Sequence, residues 1–217
     1  MIRSVIYDFD GTIVDTETFY VNNFCQTMKK YGIDCDQQDR ISFLGRSPKE
    51  KIDIMERKYG IPIDAKQAEG YYRKLNEDLF PKDPSILLFD DVIDYLNYCR
   101  NKGIKTYICS NSDSFRVKQI LEQIGILDLF DGISGKDLCG IRKPSAIPYL
   151  YMIDKYKLHK EETIAVEDSA NGIRSALLAD LKVIGLCRDG NCFQEAYSCI
   201  DSLFDLKKEI EKIDAVL

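Results

Sequence analysis

Short apolar runs alternate with helical-period segments through the second half of this chain, and that alternation limits the folds open to it. Residues 89–100 (FDDVIDYLNYCR) place apolar side chains at helical spacing, and Asn101-Lys102-Gly103 closes the segment. Residues 104–109 (IKTYIC) form an apolar run of strand length. The pattern then repeats. It predicts a helix over 114–124 closed by Gly125, a strand over 132–134 and a helix over 145–156. It further predicts a strand over 163–166, a helix over 171–178 and a strand over 181–186. Strands of this kind, separated by single helices, build a parallel sheet covered on both faces. The run Ser4-Val5-Ile6-Tyr7 supplies a first strand. The expected class is α/β, with a Rossmann-like parallel sheet sandwiched by helices.

Residues from about 16 to 80 read differently. Helical patterns fill 18–31, 48–59 and 65–79, punctuated by Gly32, Gly60 and the Pro81/Pro84 pair. A helical block inserted after the first strand of an α/β domain reads as a cap domain. The expected boundaries are a core domain of residues 1–15 and 82–217 and a cap domain of residues 16–81.

Composition removes several function classes. With 217 residues the chain has room for one large domain with an insert, or two small ones. Its 45% hydrophobic and 30% charged content is that of an ordinary soluble protein rather than a disordered one. No apolar run approaches the roughly 20 residues of a membrane span. No basic stretch followed by an apolar one opens the chain, so a cytoplasmic location is expected. A net charge of −6 without a basic cluster argues against nucleic acid, and nothing suggests a membrane partner. A monomer or weak homodimer is expected. The eight cysteines are scattered without a CxxC pair and are expected to be reduced. The only histidine, His159, lies in a polar linker, which argues against zinc and against a histidine-dependent triad.

In a doubly wound sheet, ligands bind beyond the carboxyl ends of the strands. Four such places hold polar groups here: Asp8, Asp10 and Thr12; Ser110-Asn111-Ser112; Lys143-Pro144; and Glu167-Asp168-Ser169. Each has a plain reading as a turn or helix cap when taken alone. Their joint order is what points to chemistry. Residues two apart in a strand share a face, so Asp8 and Asp10 are expected to share a site. Four carboxylates gathered together repel, and a divalent cation relieves that repulsion; an all-oxygen set suits Mg²⁺. Lys143 adds a positive charge for a phosphate, and Ser110, Asn111 and helix-start amides add donors. Aspartate serves as a covalent nucleophile in phosphoryl transfer, and a second carboxylate can carry the proton.

Along essentially its whole length the chain resembles the haloacid dehalogenase-like hydrolase superfamily, in the branch of β-phosphoglucomutase and phosphoglycolate phosphatase. Asp8-Phe9-Asp10-Gly11-Thr12, Ser110-Asn111, Lys143-Pro144 and Glu167-Asp168 match its four motifs in order, and Gly172-Ile173 fits the usual continuation. The resemblance implies Asp8 as nucleophile and Asp10 as general acid/base. It implies Mg²⁺ held by the Asp8 carboxylate, the Asp10 carbonyl and Asp168, with Glu167 binding directly or through water. It also implies phosphate binding by Ser110, Asn111 and Lys143, and a cap that excludes water. Thr16, Tyr20, Gly45 and Arg46 are the candidate substrate contacts of that cap; core packing for Tyr20 and a solvated loop for Arg46 are equally good readings. Mutase members carry a histidine about where Tyr20 stands and an arginine about where Pro48 stands. The expectation is therefore a Mg²⁺-dependent phosphatase for a small phosphorylated metabolite, with a sugar phosphate mutase as runner-up and a non-catalytic phosphate-binding module behind it.

Overall fold

A computed structural model of the chain describes residues 1–43, 46–188, 190 and 193–215. The chain divides into two compact units, Met1–Val14 with Asp83–Leu217, and Asp15–Lys82.

The first unit is built on six parallel strands: β1 (Ser4–Tyr7), β2 (Lys105–Cys109), β3 (Gly132–Ser134), β4 (Thr163–Glu167), β5 (Lys182–Leu186) and β6 (Ser198–Ile200). Their spatial order is β3-β2-β1-β4-β5-β6. The chain winds outward from β1 in one direction, then returns to its other side with β4. That reversal opens a crevice at the carboxyl ends of β1 and β4, where such sheets bind ligands. All residues of β1 and β4 are buried, which explains why they read as unbroken apolar runs. Ile6 pairs in register with Tyr107 and Ala165, and Ala165 with Val183. This row packs against Tyr149 and Met152 of α8 (Ile147–Tyr156) and Ile173 and Ala176 of α9 (Ala170–Leu178).

The second unit is helical. It contains α1 (Thr16–Lys29), α2 (Gln37–Ser42), α3 (Pro48–Tyr59) and α4 (Ala65–Leu79). Its core gathers Val21, Phe24 and Met28 with Ile33, Phe43, Ile52, Met55 and Tyr72. Phe24 meets Phe43 and Tyr72 edge-on, at centroid distances of 4.8 and 5.6 Å. The start of α3 is a capping box: Ser47 accepts from the Glu50 amide, and the Glu50 carboxylate accepts from the Ser47 amide. Pro48 fills the first turn, where its missing N–H costs nothing.

The remaining helices are α5 (Val92–Lys102), α6 (Ser114–Ile124), α7 (Lys136–Cys139) and α10 (Leu203–Asp214). Differences from the sequence expectation are local. The helix expected from residue 89 begins at Val92, and the Phe89 amide before it donates to the Ile13 carbonyl. The helix expected over 18–31 is Thr16–Lys29, capped by Asp15, which accepts from the Thr18 amide at 3.2 Å. Elements α2, α7, β6 and α10 lie outside the predicted segments. Cys25, Cys35, Cys99, Cys109 and Cys139 carry free thiols, and no described helix is long and apolar enough to cross a membrane.

Phe24→Ala is expected to cost about 3–5 kcal/mol, the range for emptying a buried aromatic site. The urea midpoint of the variant should fall accordingly, and Phe24→Leu should recover much of the loss. An unchanged midpoint would contradict the central place given to Phe24.

Candidate active site

The site begins where β1 ends. Tyr7 is the last strand residue, and the Asp8 amide continues the ladder by donating to the Val166 carbonyl at 2.9 Å. Residues 9–14 then fold back on themselves: Ile13 and Val14 donate to the Phe9 carbonyl, and Gly11 donates to the Val14 carbonyl at 2.8 Å. Gly11 has φ +88°, and a Cβ there would collide with the Asp168 carboxylate. Glycine is required twice over at this position, for its backbone conformation and for the close approach of Asp168. Thr12, fully buried, donates from Oγ1 to Asp168 Oδ1 at 3.4 Å.

β4 delivers the facing carboxylates. Glu167 is fully buried at its end, and Asp168 follows. Ser169 caps α9 by accepting from the Gly172 amide at 3.1 Å. The Glu167 carboxylate lies over Gly172, where a Cβ would collide with it.

Lys143 is the charge at the centre. Its buried Nζ donates to Asp8 Oδ1 at 2.6 Å, to Glu167 Oε1 at 2.5 Å and to the Cys109 carbonyl at 2.6 Å. Those three bonds use every N–H an ammonium has. Tyr149, from α8, donates its hydroxyl to Glu167 Oε1. Burial, aided by the Glu167 charge, holds the Tyr149 phenol well above its ordinary value, so it stays a donor. Burial would lower the Lys143 pKa, but Asp8 and Glu167 outweigh it and raise it, so the ammonium stays charged. Burial pushes Asp8 up to about 8; Lys143 opposes that shift, while Glu167 and Asp10 add to it.

One carboxylate oxygen each from Asp8, Glu167 and Asp168 lie within 4.8 Å of one another. Glu167 Oε2 is buried with no hydrogen-bond partner among the described residues. Three carboxylates, those of Asp8, Glu167 and Asp168, gather around the Lys143 ammonium. An orphaned buried oxygen within an all-oxygen, net-negative cluster fits a hard divalent cation. Asp8, Glu167 and Asp168 are the side chains placed to hold one.

The remaining expected residues divide into groups. The Asp10 carboxylate is not in that cluster. It turns toward β2, accepting from Ser112 Oγ at 2.6 Å and from Ser110 Oγ at 3.4 Å. The strand stops at Tyr7 and the chain turns at Gly11, so Asp10 comes from the turn, yet its charge still helps to raise the Asp8 pKa. Asn111 braces the lysine loop: its Oδ1 accepts from the Lys143 amide at 2.9 Å. Thr16 and Tyr20 both belong to α1 of the helical unit. Arg46 is exposed, and its Nε donates to the Ser42 carbonyl at 2.8 Å. Gly45 lies outside the described residues. From the sequence, Ser112 is placed in the Ser110-Asn111-Ser112 run without a role, and Tyr149 is not found. Ser112 stands beside the Ser110-Asn111 pair and was available as a signal; Tyr149 carries no local signal, since only packing brings it to Glu167.

The family described as haloacid dehalogenase-like hydrolase matches residues 5–186. The chain belongs to this family. It is 27% identical over 182 residues to pyrophosphatase PpaX of Oceanobacillus iheyensis, covering 83% of this chain and 81% of that protein. It is 22% identical over 187 residues to the chloroplastic protein SUPPRESSOR OF QUENCHING 1 of Arabidopsis thaliana, covering 85% of this chain but only 18% of that longer protein. Among solved structures, β-phosphoglucomutase from Clostridium difficile shares 26% identity and a TM-score of 0.74, covering 100% of this chain and 99% of that one. The six-stranded parallel sheet is thus the sheet of a haloacid dehalogenase-like hydrolase.

Gly11→Ala should lower the melting temperature by about 2–8 °C, from a left-handed backbone cost of roughly 1–2 kcal/mol. It should also weaken divalent-cation binding, because the added methyl displaces Asp168. A thermal melt with and without added Mg²⁺ reads both effects; a variant with an unchanged melt and an unchanged Mg²⁺ shift would contradict this reading of the turn.

Proposed function

We propose that this hydrolase is a Mg²⁺-dependent phosphatase that cleaves a small phosphomonoester, such as a sugar phosphate, through an aspartyl-phosphate intermediate. The observation that carries the reading is the juxtaposition of Asp8 with Lys143, Glu167 and Asp168 at the β1/β4 crevice, with Asp10 held separately by Ser112.

Two carboxylates in two environments take two roles. Asp8, paired with the Lys143 ammonium, is the nucleophile: its oxygen bonds to phosphorus as the ester P–O bond breaks. Asp10, oriented by Ser112, gives its proton to the departing oxygen, which leaves as an alcohol. Asp10 then takes a proton from water, the water oxygen bonds to phosphorus, and Asp8 is released with inorganic phosphate. Lys143 contributes its charge rather than a spare N–H, because its three donors are already engaged. Mg²⁺ held by Asp8, Glu167 and Asp168 would neutralise charge on the phosphoryl oxygens and favour ionised Asp8. The helical unit acts as the cap and Thr16, Tyr20, Gly45 and Arg46 as its substrate contacts in this reading. A cytoplasmic location accords with the free thiols.

Hydrolysis is favoured over mutase chemistry by the second unit. A mutase has to grip a second phosphate during turnover. Pro48, standing about where mutase members carry an arginine, is spent on opening α3.

The purified protein with Mg²⁺ should release phosphate from at least one member of a panel of sugar phosphates, phosphoglycolate, nucleoside monophosphates and an aryl phosphate. Chelation with EDTA should stop release, and Mg²⁺ should restore it. Asp8→Asn should abolish turnover, and Asp10→Asn should slow it by about 10²–10⁴. Release that persists in Asp8→Asn would overturn the reading. Interconversion of glucose phosphates without free phosphate would replace it with the mutase.

A further inference from the structure

Thr12 is gripped from both ends. Its hydroxyl donates to Asp168, and its carbonyl accepts from Arg188 Nη2 at 3.2 Å. Arg188 follows β5, far along the chain from the motifs already described. Its guanidinium forks onto Asp91, with Nη1 to Oδ2 at 3.0 Å and Nη2 to Oδ1 at 2.8 Å. It also stacks on Phe89, 3.9 Å from the ring centroid. Arg188 Nε is buried without a partner among the described residues. Leaving that donor unpaired is unfavourable, so this geometry is set by the bonds at the two Nη atoms.

Asp91 is equally specialised. It stands at the N-cap position of α5, yet its side chain makes no capping bond there. Instead it accepts from Arg188, from Ser202 Oγ at 2.7 Å and from the Leu203 amide at 2.8 Å, at the start of α10. Burial alone would raise its pKa; the bonds from Arg188, Ser202 and Leu203 hold it below the usual carboxylate range. Asp91 thus has two arms. One, through Ser202 and Leu203, anchors α10. The other, through Arg188, reaches the carbonyl of Thr12.

We infer that Arg188, fixed by Asp91, is a positioning residue for the cation site, acting through Thr12 on Asp168. The bonds that fold 9–14 leave the Thr12 carbonyl unused: Gly11 takes the Val14 carbonyl, and Ile13 and Val14 take that of Phe9. The Thr12–Ile13 peptide is held on its N–H side by the Phe9 carbonyl, and Arg188 holds its carbonyl side. With that peptide fixed, the Thr12 hydroxyl faces Asp168, and Asp168 stays pressed against Gly11. Without Arg188, that peptide is held from one side only and can tilt, and the Thr12 hydroxyl is less firmly aimed at Asp168. Partners that orient metal-binding carboxylates govern affinity in this indirect way. The inference rests on the reading of Asp8, Glu167 and Asp168 as a divalent-cation site.

The test is binding of Mn²⁺ to the full-length, substrate-free protein, read by the loss of the free-ion electron paramagnetic resonance signal. Arg188→Met should weaken Mn²⁺ binding about tenfold or more. Ser202→Ala, which cuts the other arm of Asp91, should lower the melting temperature but leave the Mn²⁺ dissociation constant within about twofold. Ile213→Ala, about 15 Å along α10 from Leu203, should behave like Ser202→Ala. If Arg188→Met does not fold, Arg188→Lys serves: a lysine ammonium cannot fork onto Asp91 while holding the Thr12 carbonyl, and its affinity should fall about threefold. The Arg188 and Thr12→Val losses should also fail to add, since both act through one contact. Unchanged affinity in the Arg188 variant, or an equal loss in Ser202→Ala, would overturn the positioning role. Failure of the wild-type protein to bind Mn²⁺ would instead overturn the cation-site reading itself.

Discussion

A buried ammonium with all three of its donors engaged organises the candidate site. Lys143 ties together the ends of three strands: Asp8 beyond β1, the Cys109 carbonyl at the end of β2, and Glu167 at the end of β4. An unpaired buried lysine would lose its proton, and unpaired buried carboxylates would gain theirs. Lys143 keeps its proton because Asp8 and Glu167 are in contact with it, and its ammonium in turn opposes the rise that burial imposes on Asp8. Removing either partner of such a pair leaves an uncompensated charge, which is typically more costly than the pair is stabilising. Around this pair Asp168 adds a further carboxylate, so the cluster stays net negative. That surplus makes the place suited to a cation and a phosphoryl group.

The topology explains why these residues meet. Winding out from β1 to β3 and returning through β4 puts the carboxyl ends of β1 and β4 side by side, with no helix between them. Side chains more than 150 positions apart in sequence, Thr12 and Asp168, then come within hydrogen-bonding distance. The fit depends on glycine at two contacts. Gly11 lets Asp168 approach the first turn, and Gly172 lets Glu167 lie against the start of α9. Both are positions where a single methyl group would displace a carboxylate.

Much of this was legible in the sequence because its signals are local. The helices 48–59 and 65–79 were read with the bounds the structure gives, since Ser47-Pro48 with Glu50, and Asp64, mark their starts chemically. Strand β3 and helix α6 were also read at their observed bounds. Elements with weaker signals escaped. No described helix separates the edge strand β6 from β5, so it falls outside the strand–helix alternation that located β3, and α2 is six polar-rich residues held by the Asp36–Asp39 capping box. At the site, Asp8, Lys143, Glu167 and Asp168 stand at strand ends or helix starts that the alternation of elements located. The partners that orient them did not stand out. Tyr149, Asp91 and Arg188 look like ordinary helix and loop residues until the chain is folded, because their roles come from tertiary contacts to buried charge.

The central claim is that Asp8 itself forms a bond to phosphorus. The most direct measurement is an acid quench of the protein during turnover of a slow phosphate ester, followed by borohydride reduction and peptide mapping by mass spectrometry. An acyl phosphate is reduced where a free carboxylate is not, so the modified residue marks the nucleophile. The account predicts reduction at Asp8, dependent on both substrate and Mg²⁺. Reduction at another carboxylate, or an unmodified Asp8 in protein that is releasing phosphate, would contradict it.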